Sequence, residues 1–515
     1  MQKRISFAAA MAALAVLGSA SPAAAQTLGE QVDSIFAAST GWFVALIFAD
    51  LPGTNIPWIV GWLVVGAVVF TVYFGFIQFR AFGHAIALVS GKYANPKDAG
   101  EVSHFQALAT ALSGTVGLGN IAGVAVAVSI GGAGATFWMI LAGLLGMASK
   151  FTECTLGVKY RNEYADGTVS GGPMYYLEKG FKERGLPFGK LMAFGFAIMC
   201  VLGALGGGNM FQANQAASQI QSVTGAPTWL TGLLLAVIVF AVIVGGIKSI
   251  ARVTEKVVPF MGIGYVAVSL LIIFMNADMI GWAFGQIFAG AFTDTGIIGG
   301  MIGALIQGFR RAAFSNEAGI GSAAIAHSAV RTKEPITEGF VSLLEPFIDT
   351  VIICTMTALV IIITGQLLMD AQTGQYILND AGRIVTASGA TGGVPITSAA
   401  FESAFSWAPA ALAIAVVLFA FSTMITWSYY GLKAWTYMLG EGKNRELVFK
   451  VTFCVFVFIG AVSSLDAVLD FSDAALFAMA VFNIIGLYFL MPIVKKELES
   501  YLARLQSGEI KPYKK

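Results

Sequence analysis

Two short stretches of this chain combine residue types that suit ligand chemistry. The first is Ser113-Gly114-Thr115-Val116-Gly117-Leu118-Gly119-Asn120-Ile121-Ala122-Gly123, with four glycines in ten residues inside a long apolar run. The second is Phe314-Ser315-Asn316-Glu317-Ala318-Gly319-Ile320-Gly321, inside another. Each glycine costs a helix about 1 kcal/mol relative to alanine, and β-branched Thr115 and Val116 weaken the first run further. Both runs are expected to break near their middle. A break leaves N–H groups with positive dipole at one new helix end and carbonyls at the other. A zwitterion needs an anion receptor and acceptors for an ammonium, and a small cation needs carbonyl and hydroxyl oxygens. A broken helix offers all of these without a full protein charge. Asn120, Ser315, Asn316 and Glu317 also place polarity at a depth where it is expensive and usually functional.

Two other runs supply matching faces. Asn209, Gln212, Gln215 and Gln219 project on one side of a helix. Thr423, Thr426, Trp427 and Tyr430 follow the i, i+3, i+4, i+7 rule on another. Thr423 and Thr426, with Ser422 at the edge, are hydroxyl ligands for a cation, and Trp427 is placed to wall a pocket. The bland reading of this face is interhelical hydrogen bonding with Tyr430 as an interface aromatic. Glycines can also be helix-packing contacts, which is the reading for Gly131, Gly143 and Gly146. Arg310 and Arg311 precede the second break, and at least one is expected to pair with Glu317 or another buried carboxylate, with Glu345 and Asp349 as candidates, as a structural contact. His104 and His327 read as polar helix ends rather than proton relays, and Glu153 has no assigned role. Cys154, Cys200, Cys354 and Cys454 form no C-x-x-C pair and read as buried core thiols.

The elements that position these residues follow from composition. The chain of 515 residues is 57% hydrophobic and 11% charged, with mean hydropathy +0.78, which excludes an ordinary soluble domain. The net charge of +1 gives no bulk attraction to nucleic acid. Residues 1–25 read as a cleaved secretory signal, with Lys3 and Arg4 before an apolar run and Ala23-Ala24-Ala25 at the cut. Residues 26–56 read as a periplasmic interfacial segment, 57–494 as the transmembrane domain and 495–515 as a cytoplasmic tail. Eleven spans are expected, at 57–79, 105–130, 135–157, 190–221, 229–247, 257–275, 296–328, 340–364, 409–437, 447–463 and 475–494. With an external mature start, 25 of the 30 lysines and arginines fall in inside loops and one, Arg383, outside. That bias fixes the direction, with the N-terminus periplasmic and the C-terminus cytoplasmic, in a bacterial inner membrane. Spans two to six and seven to eleven then form two halves of opposite topology, each opening on a broken helix, the mark of an inverted-repeat transporter with its site at the breaks.

The chain resembles the alanine or glycine:cation symporter family, a branch of the LeuT-type transporters. The resemblance is carried by Gly114-Thr115-Val116-Gly117-Leu118-Gly119-Asn120-Ile121-Ala122-Gly123, Gly171-Gly172-Pro173-Met174-Tyr175-Tyr176, Gly245-Gly246-Ile247-Lys248 and Gly308-Phe309-Arg310-Arg311-Ala312-Ala313-Phe314-Ser315-Asn316-Glu317-Ala318-Gly319, and covers nearly all of the chain after residue 57. It implies an all-α membrane fold with a 5+5 inverted-repeat core and one extra N-terminal span. It also implies co-transport of small neutral amino acids with sodium, or with a proton in some members. The substrate positions it implies are Thr115, Gly117, Gly119, Asn120, Gly207, Gln212, Phe314, Ser315 and Trp427. Sodium, the coupling ion, is expected at carbonyls of Thr115 and Gly119 and hydroxyls of Ser422, Thr423 and Thr426, with no other cofactor.

The expected function is alternating-access import of alanine or glycine coupled to sodium, in a lipid bilayer and without nucleic acid. The alternatives are proton coupling, or a channel or amino-acid sensor of the same fold. A membrane enzyme is disfavoured by the lack of a nucleotide loop, a metal-spaced His/Cys set or a nucleophile motif.

Overall fold

A chain this apolar has to bond its backbone groups internally wherever it meets hydrocarbon, and the helix does this segment by segment. The computed structural model describes residues 22–95, 98–165, 167–292, 300–380 and 382–512, and is almost wholly helical. Most of the expected signal segment lies outside these residues. The described chain begins with α1 (Pro22–Ile47), which packs against the last helix through a Phe36–Phe471 edge contact at 5.3 Å, joined just past its end by Phe48–Phe477 at 5.9 Å.

The first half continues with α2 (Trp58–Tyr73), α3 (His104–Thr115), α4 (Val124–Gly131), α5 (Ala135–Lys159), α6 (Gly189–Leu205), α7 (Phe211–Thr224), α8 (Thr228–Ile243) and α9 (Gly246–Met275). A small ribbon, Asn162–Glu163 with Val169–Ser170, and the short helix Pro173–Glu183 lie between α5 and α6. The second half comprises α10 (Ile280–Phe292), α11 (Gly300–Asn316), α12 (Ala323–His327), α13 (Pro335–Ser342), α14 (Thr355–Ile363), α15 (Val394–Glu402), α16 (Ala408–Leu439), α17 (Lys443–Val462) and α18 (Leu465–Gln506).

Among the described residues, six helices are long and apolar enough to cross a membrane, and the bent pair of α3 and the segment Gly119–Gly131 makes a seventh. The other expected spans fall on helices that length and composition alone do not pass. α2 and α8 have 16 residues each. α17 opens on the charged stretch Lys443-Asn444-Arg445-Glu446, and the run 296–328 is cut in two. Two stretches read as outside loops contain helices, α10 and α15. α10 docks against α5, where Trp138 Nε1 donates to the Ala291 carbonyl at 3.2 Å.

Small residues set the close packing. A methyl group on Gly143 would lie 3.0 Å from Thr350 Cβ, one on Gly146 2.7 Å from Ala318 Cβ, and one on Gly131 3.0 Å from Gln307 Cβ. All three therefore act as helix contacts, as read from sequence. The four cysteines are buried and unpaired with one another.

Candidate functional site

Both breaks are present, at the residues whose types disfavour helix. α3 ends at Thr115, the residues to Leu118 leave the helix, and a π turn at Gly119–Gly123 restarts it at an angle of 49°. α11 ends at Asn316, and the chain passes through Glu317, Gly319 and Gly321 at φ of +57°, +86° and +91° before α12 begins. Left-handed backbone suits glycine and is costly for glutamate. Glu317 is held there by its side chain. Its Oε1 accepts from Trp427 Nε1 at 2.9 Å, and its other oxygen accepts from the Ser322 hydroxyl.

The two breaks touch. A methyl group on Gly119 would lie 3.2 Å from Ser315 Cα. Asn120 folds back on its own break, its Oδ1 accepting from Gly117 N at 2.9 Å, and its Nδ2 donates to Asp349 Oδ1 at 2.6 Å. Ser315 Oγ donates to the same Asp349 oxygen at 3.1 Å, and Thr350 Oγ1 donates to the other at 2.7 Å. A buried carboxylate thus joins both breaks, and among the described residues its hydrogen-bond donors are uncharged. Sequence reasoning considered Asp349 only as a partner for arginine. The available signal was a carboxylate inside an apolar run.

α7 reaches the first break through Gln212 alone. Its Oε1 accepts from Leu118 N at 3.0 Å, and its Nε2 donates to the Gly207 carbonyl at 2.9 Å. The other amides of the expected face diverge. Asn209 donates to the Phe453 carbonyl, Gln215 Oε1 accepts from Val394 N, and Gln219 donates to Ser398 Oγ. For Asn209 the cause is the π turn at Gly206–Met210, whose extra residue rotates it off the face that a uniform 3.6 period would give it; Gln215 and Gln219 lie on the same helix as Gln212, further from the break. Gly207 lies near Phe314, since a methyl there would come within 3.4 Å of that ring. Phe314 meets Phe211 edge-on at 5.0 Å.

α16 lies along the other side of the first break. Thr423 Oγ1 donates to the Ser113 carbonyl at 3.0 Å, and Ser113 Oγ donates to the Ser422 carbonyl at 2.7 Å. Ser422 Oγ is spent on the Phe419 carbonyl at 3.0 Å. The hydroxyls of Thr426 and Tyr430 are buried with no hydrogen-bond partner, and a methyl on Gly114 would lie 3.1 Å from the Tyr430 oxygen. The Thr115 hydroxyl bonds back to the Ala111 carbonyl at 3.3 Å, while its carbonyl accepts from Gly117 N at 2.8 Å. Trp427 stacks edge-on against Tyr430 at 5.2 Å, and a methyl on Gly208 would lie 2.2 Å from its ring.

The arginines do pair with a buried carboxylate, though with none of the three named from the sequence. Arg310 Nε donates to Asp473 Oδ2 at 2.8 Å, and Arg311 bonds the same oxygen. Asp473 comes from α18, which sequence spacing does not bring next to α11. Glu345 is taken by Lys150 at 3.2 Å, so Lys150, counted as an inside-loop charge, is buried within α5. Glu153 accepts from Asn483 Nδ2 at 2.9 Å, again across to α18.

Sequence comparison agrees with this geometry. The model of the sodium:alanine symporter family matches residues 37–515. The chain belongs to the sodium:alanine symporter family. Members similar to it include the sodium/alanine symporter AgcS of Methanococcus maripaludis, 40% identical over 441 residues, covering 85% of this chain and 93% of that one. The putative sodium/proton-dependent alanine carrier protein YrbD of Bacillus subtilis is 33% identical, covering 90% and 93%. Among solved structures, MhsT in complex with L-phenylalanine superposes with a TM-score of 0.51 at 15% identity, covering 76% of this chain and 89% of that one. That likeness gives the helical fold alone. This symporter-family member is a transporter and not an enzyme.

Proposed function

We propose that the chain is a sodium-coupled importer of alanine and glycine, working by alternating access in a bacterial inner membrane. The observation that carries this is the meeting of the two breaks at Asn120, Ser315 and Asp349. Eleven spans, with a 5+5 inverted repeat after the first and the N-terminus outside, are the arrangement that puts both breaks at mid-membrane.

In this reading the amino acid lies between the breaks, against Thr115, Gly117, Gly119, Asn120, Gly207, Gln212, Phe314, Ser315 and Trp427. Sodium takes carbonyls of Thr115 and Gly119 with the hydroxyls of Ser422, Thr423 and Thr426. The unpartnered Thr426 oxygen supports that assignment, because a buried hydroxyl without a partner is costly unless a ligand uses it. Sodium binds first and fixes the bend between α3 and α4, so the amino acid meets a formed site. In this reading a polar cavity of about 470 Å³, lined by residues that include Asn214, Gln215, Ser218, Thr391 and Ser463, serves as the outer entrance. Phe314 and Trp427 exclude large side chains. They separate alanine from glycine poorly, since one methyl is worth only about 1–3 kcal/mol.

Proton coupling is the second reading. Asp349, with only uncharged donors around it, is a carboxylate that a proton can neutralise. The deciding experiment is uptake of labelled alanine into proteoliposomes under an inward sodium gradient against an inward choline gradient at matched pH. Sodium-dependent accumulation supports the proposal. Uptake that follows only a pH gradient replaces the ion, and absence of uptake by folded protein removes the substrate assignment.

A further inference from the structure

His104 opens α3 and His327 closes α12, so each marks the end of a half-helix beside a break. Both bond one carboxylate. His104 Nδ1 lies 2.5 Å from Glu338 Oε2, and His327 Nδ1 lies 2.6 Å from Glu338 Oε1. Glu338 sits on α13, so a single side chain ties the two half-helices to a third element, one oxygen for each. The chain of groups continues. His327 Nε2 lies 3.5 Å from Glu345 Oε2, and Glu345 Oε1 accepts from Lys150 Nζ at 3.2 Å. All five side chains are buried. The other titratable groups facing this chain include Glu153 and Cys154 from α5, Glu317 from the second break, Asp349 and, from α16, Tyr430.

Charge counting assigns a proton here. Glu338 and Glu345 bring two negative charges and Lys150 one positive. Left so, a net negative charge is buried away from water, which is expensive. One imidazolium brings the five groups to neutrality. Both Nδ1 atoms already face carboxylate oxygens, so the extra proton belongs on an Nε2. His327 Nε2 and Glu345 Oε2 face each other, and neither has a hydrogen-bond partner. Among the described residues no group of His, Cys, Asp and Glu has metal-holding geometry.

We infer that His104, His327, Glu338 and Glu345 form a proton-binding site, with the proton held on His327 Nε2 against Glu345, that locks both half-helices to α13 until the proton leaves to water. The lock rests on the transport reading above. The proton site does not.

The chain has three histidines, so imidazole NMR of histidine-labelled protein in lipid nanodiscs resolves them, with His327→Gln for assignment. His84, bonded to Tyr501 at 2.9 Å, is the internal reference. The expected result is a doubly protonated His327 at neutral pH. In Glu338→Gln it loses the proton about one unit or more lower. In His104→Gln, which leaves Glu338 with one donor fewer, it loses the proton higher, and His84 is unchanged in both. A His327 that stays singly protonated between about pH 5 and 9, or that shifts the same way in both variants, overturns the site. For the lock, uptake into vesicles should fall about fivefold or more as the interior is acidified, and Glu338→Gln should flatten that profile. Identical profiles overturn the lock. Wild-type vesicles without any uptake refute the transport reading instead, and the NMR result still decides the proton site.

Discussion

At the scale of single residues, the site is built from a few polar atoms whose partners are now fixed. Gln212 is the acceptor for Leu118 N and the donor to Gly207. Gln212→Ala leaves a buried N–H and a buried carbonyl unpaired, at about 1–3 kcal/mol each. Alanine uptake is expected to fall at least tenfold while circular dichroism stays helical. Unchanged uptake kinetics would remove Gln212 from the site. Thr426 has no such internal partner, which separates binding from folding. Thr426→Val should weaken sodium affinity, read by sodium-dependent stabilisation, and Thr426→Ser should restore it. Equal affinity in both would place the ion elsewhere. Gly208 serves packing alone: its Cα faces the Trp427 ring so closely that Gly208→Ala must displace the indole. The cost is about 1–3 kcal/mol of stability, visible as a lowered melting temperature. The breaks at 114–123 and 314–321 were legible in the sequence because glycine and mid-membrane polarity act locally. Asp349 as the bridge between them was not, because it is 34 residues from its nearest partner outside its own helix, Ser315.

At the scale of elements, the halves of each broken helix are held by charges and amides on other helices. α11 is anchored to α18 by Arg310 and Arg311 on Asp473, with Arg310 also 4.1 Å above the Phe48 ring of the N-terminal region. Asp473→Asn leaves two guanidiniums against a neutral partner, one of them fully buried. Breaking a buried pair from one side costs about 3–5 kcal/mol. The expected outcome is a large fall in thermal stability measured in detergent. A variant as stable as wild type would show the pair to be incidental. The direction of the arginines was legible, since charges in hydrocarbon need partners. Their choice of α18 over Glu317 or Asp349 was not, because Glu317 is held by Trp427 and Asp349 by Asn120. Likewise the amide face was read on a uniform helix, and the π turn at Gly206–Met210 rotates Asn209 away from Gln212, while Gln215 and Gln219 lie further along α7 and find partners there.

At the scale of the whole molecule, the proposed cycle moves one net charge when one sodium accompanies a zwitterion. About 100 mV, negative inside, then contributes roughly 2.3 kcal/mol, or about 50-fold in accumulation. Steady-state alanine accumulation in proteoliposomes clamped at that potential should exceed the value at zero potential by about that factor. No dependence on potential would exclude one-to-one sodium symport. The sequence by itself determined that the chain is a helical membrane protein, where two helices break, which family it resembles, and that its cysteines are buried. Those are consequences of local composition and hydropathy, which the bilayer reads segment by segment. Only the tertiary structure decided which atoms meet: Gly119 against Ser315, Asp349 between both breaks, Gln212 alone from its face, Asp473 under two arginines, and Glu338 between two histidines. These are contacts between segments up to 234 residues apart. Many combinations satisfy the same buried donors and charges, and the packing of small residues between helices selects one.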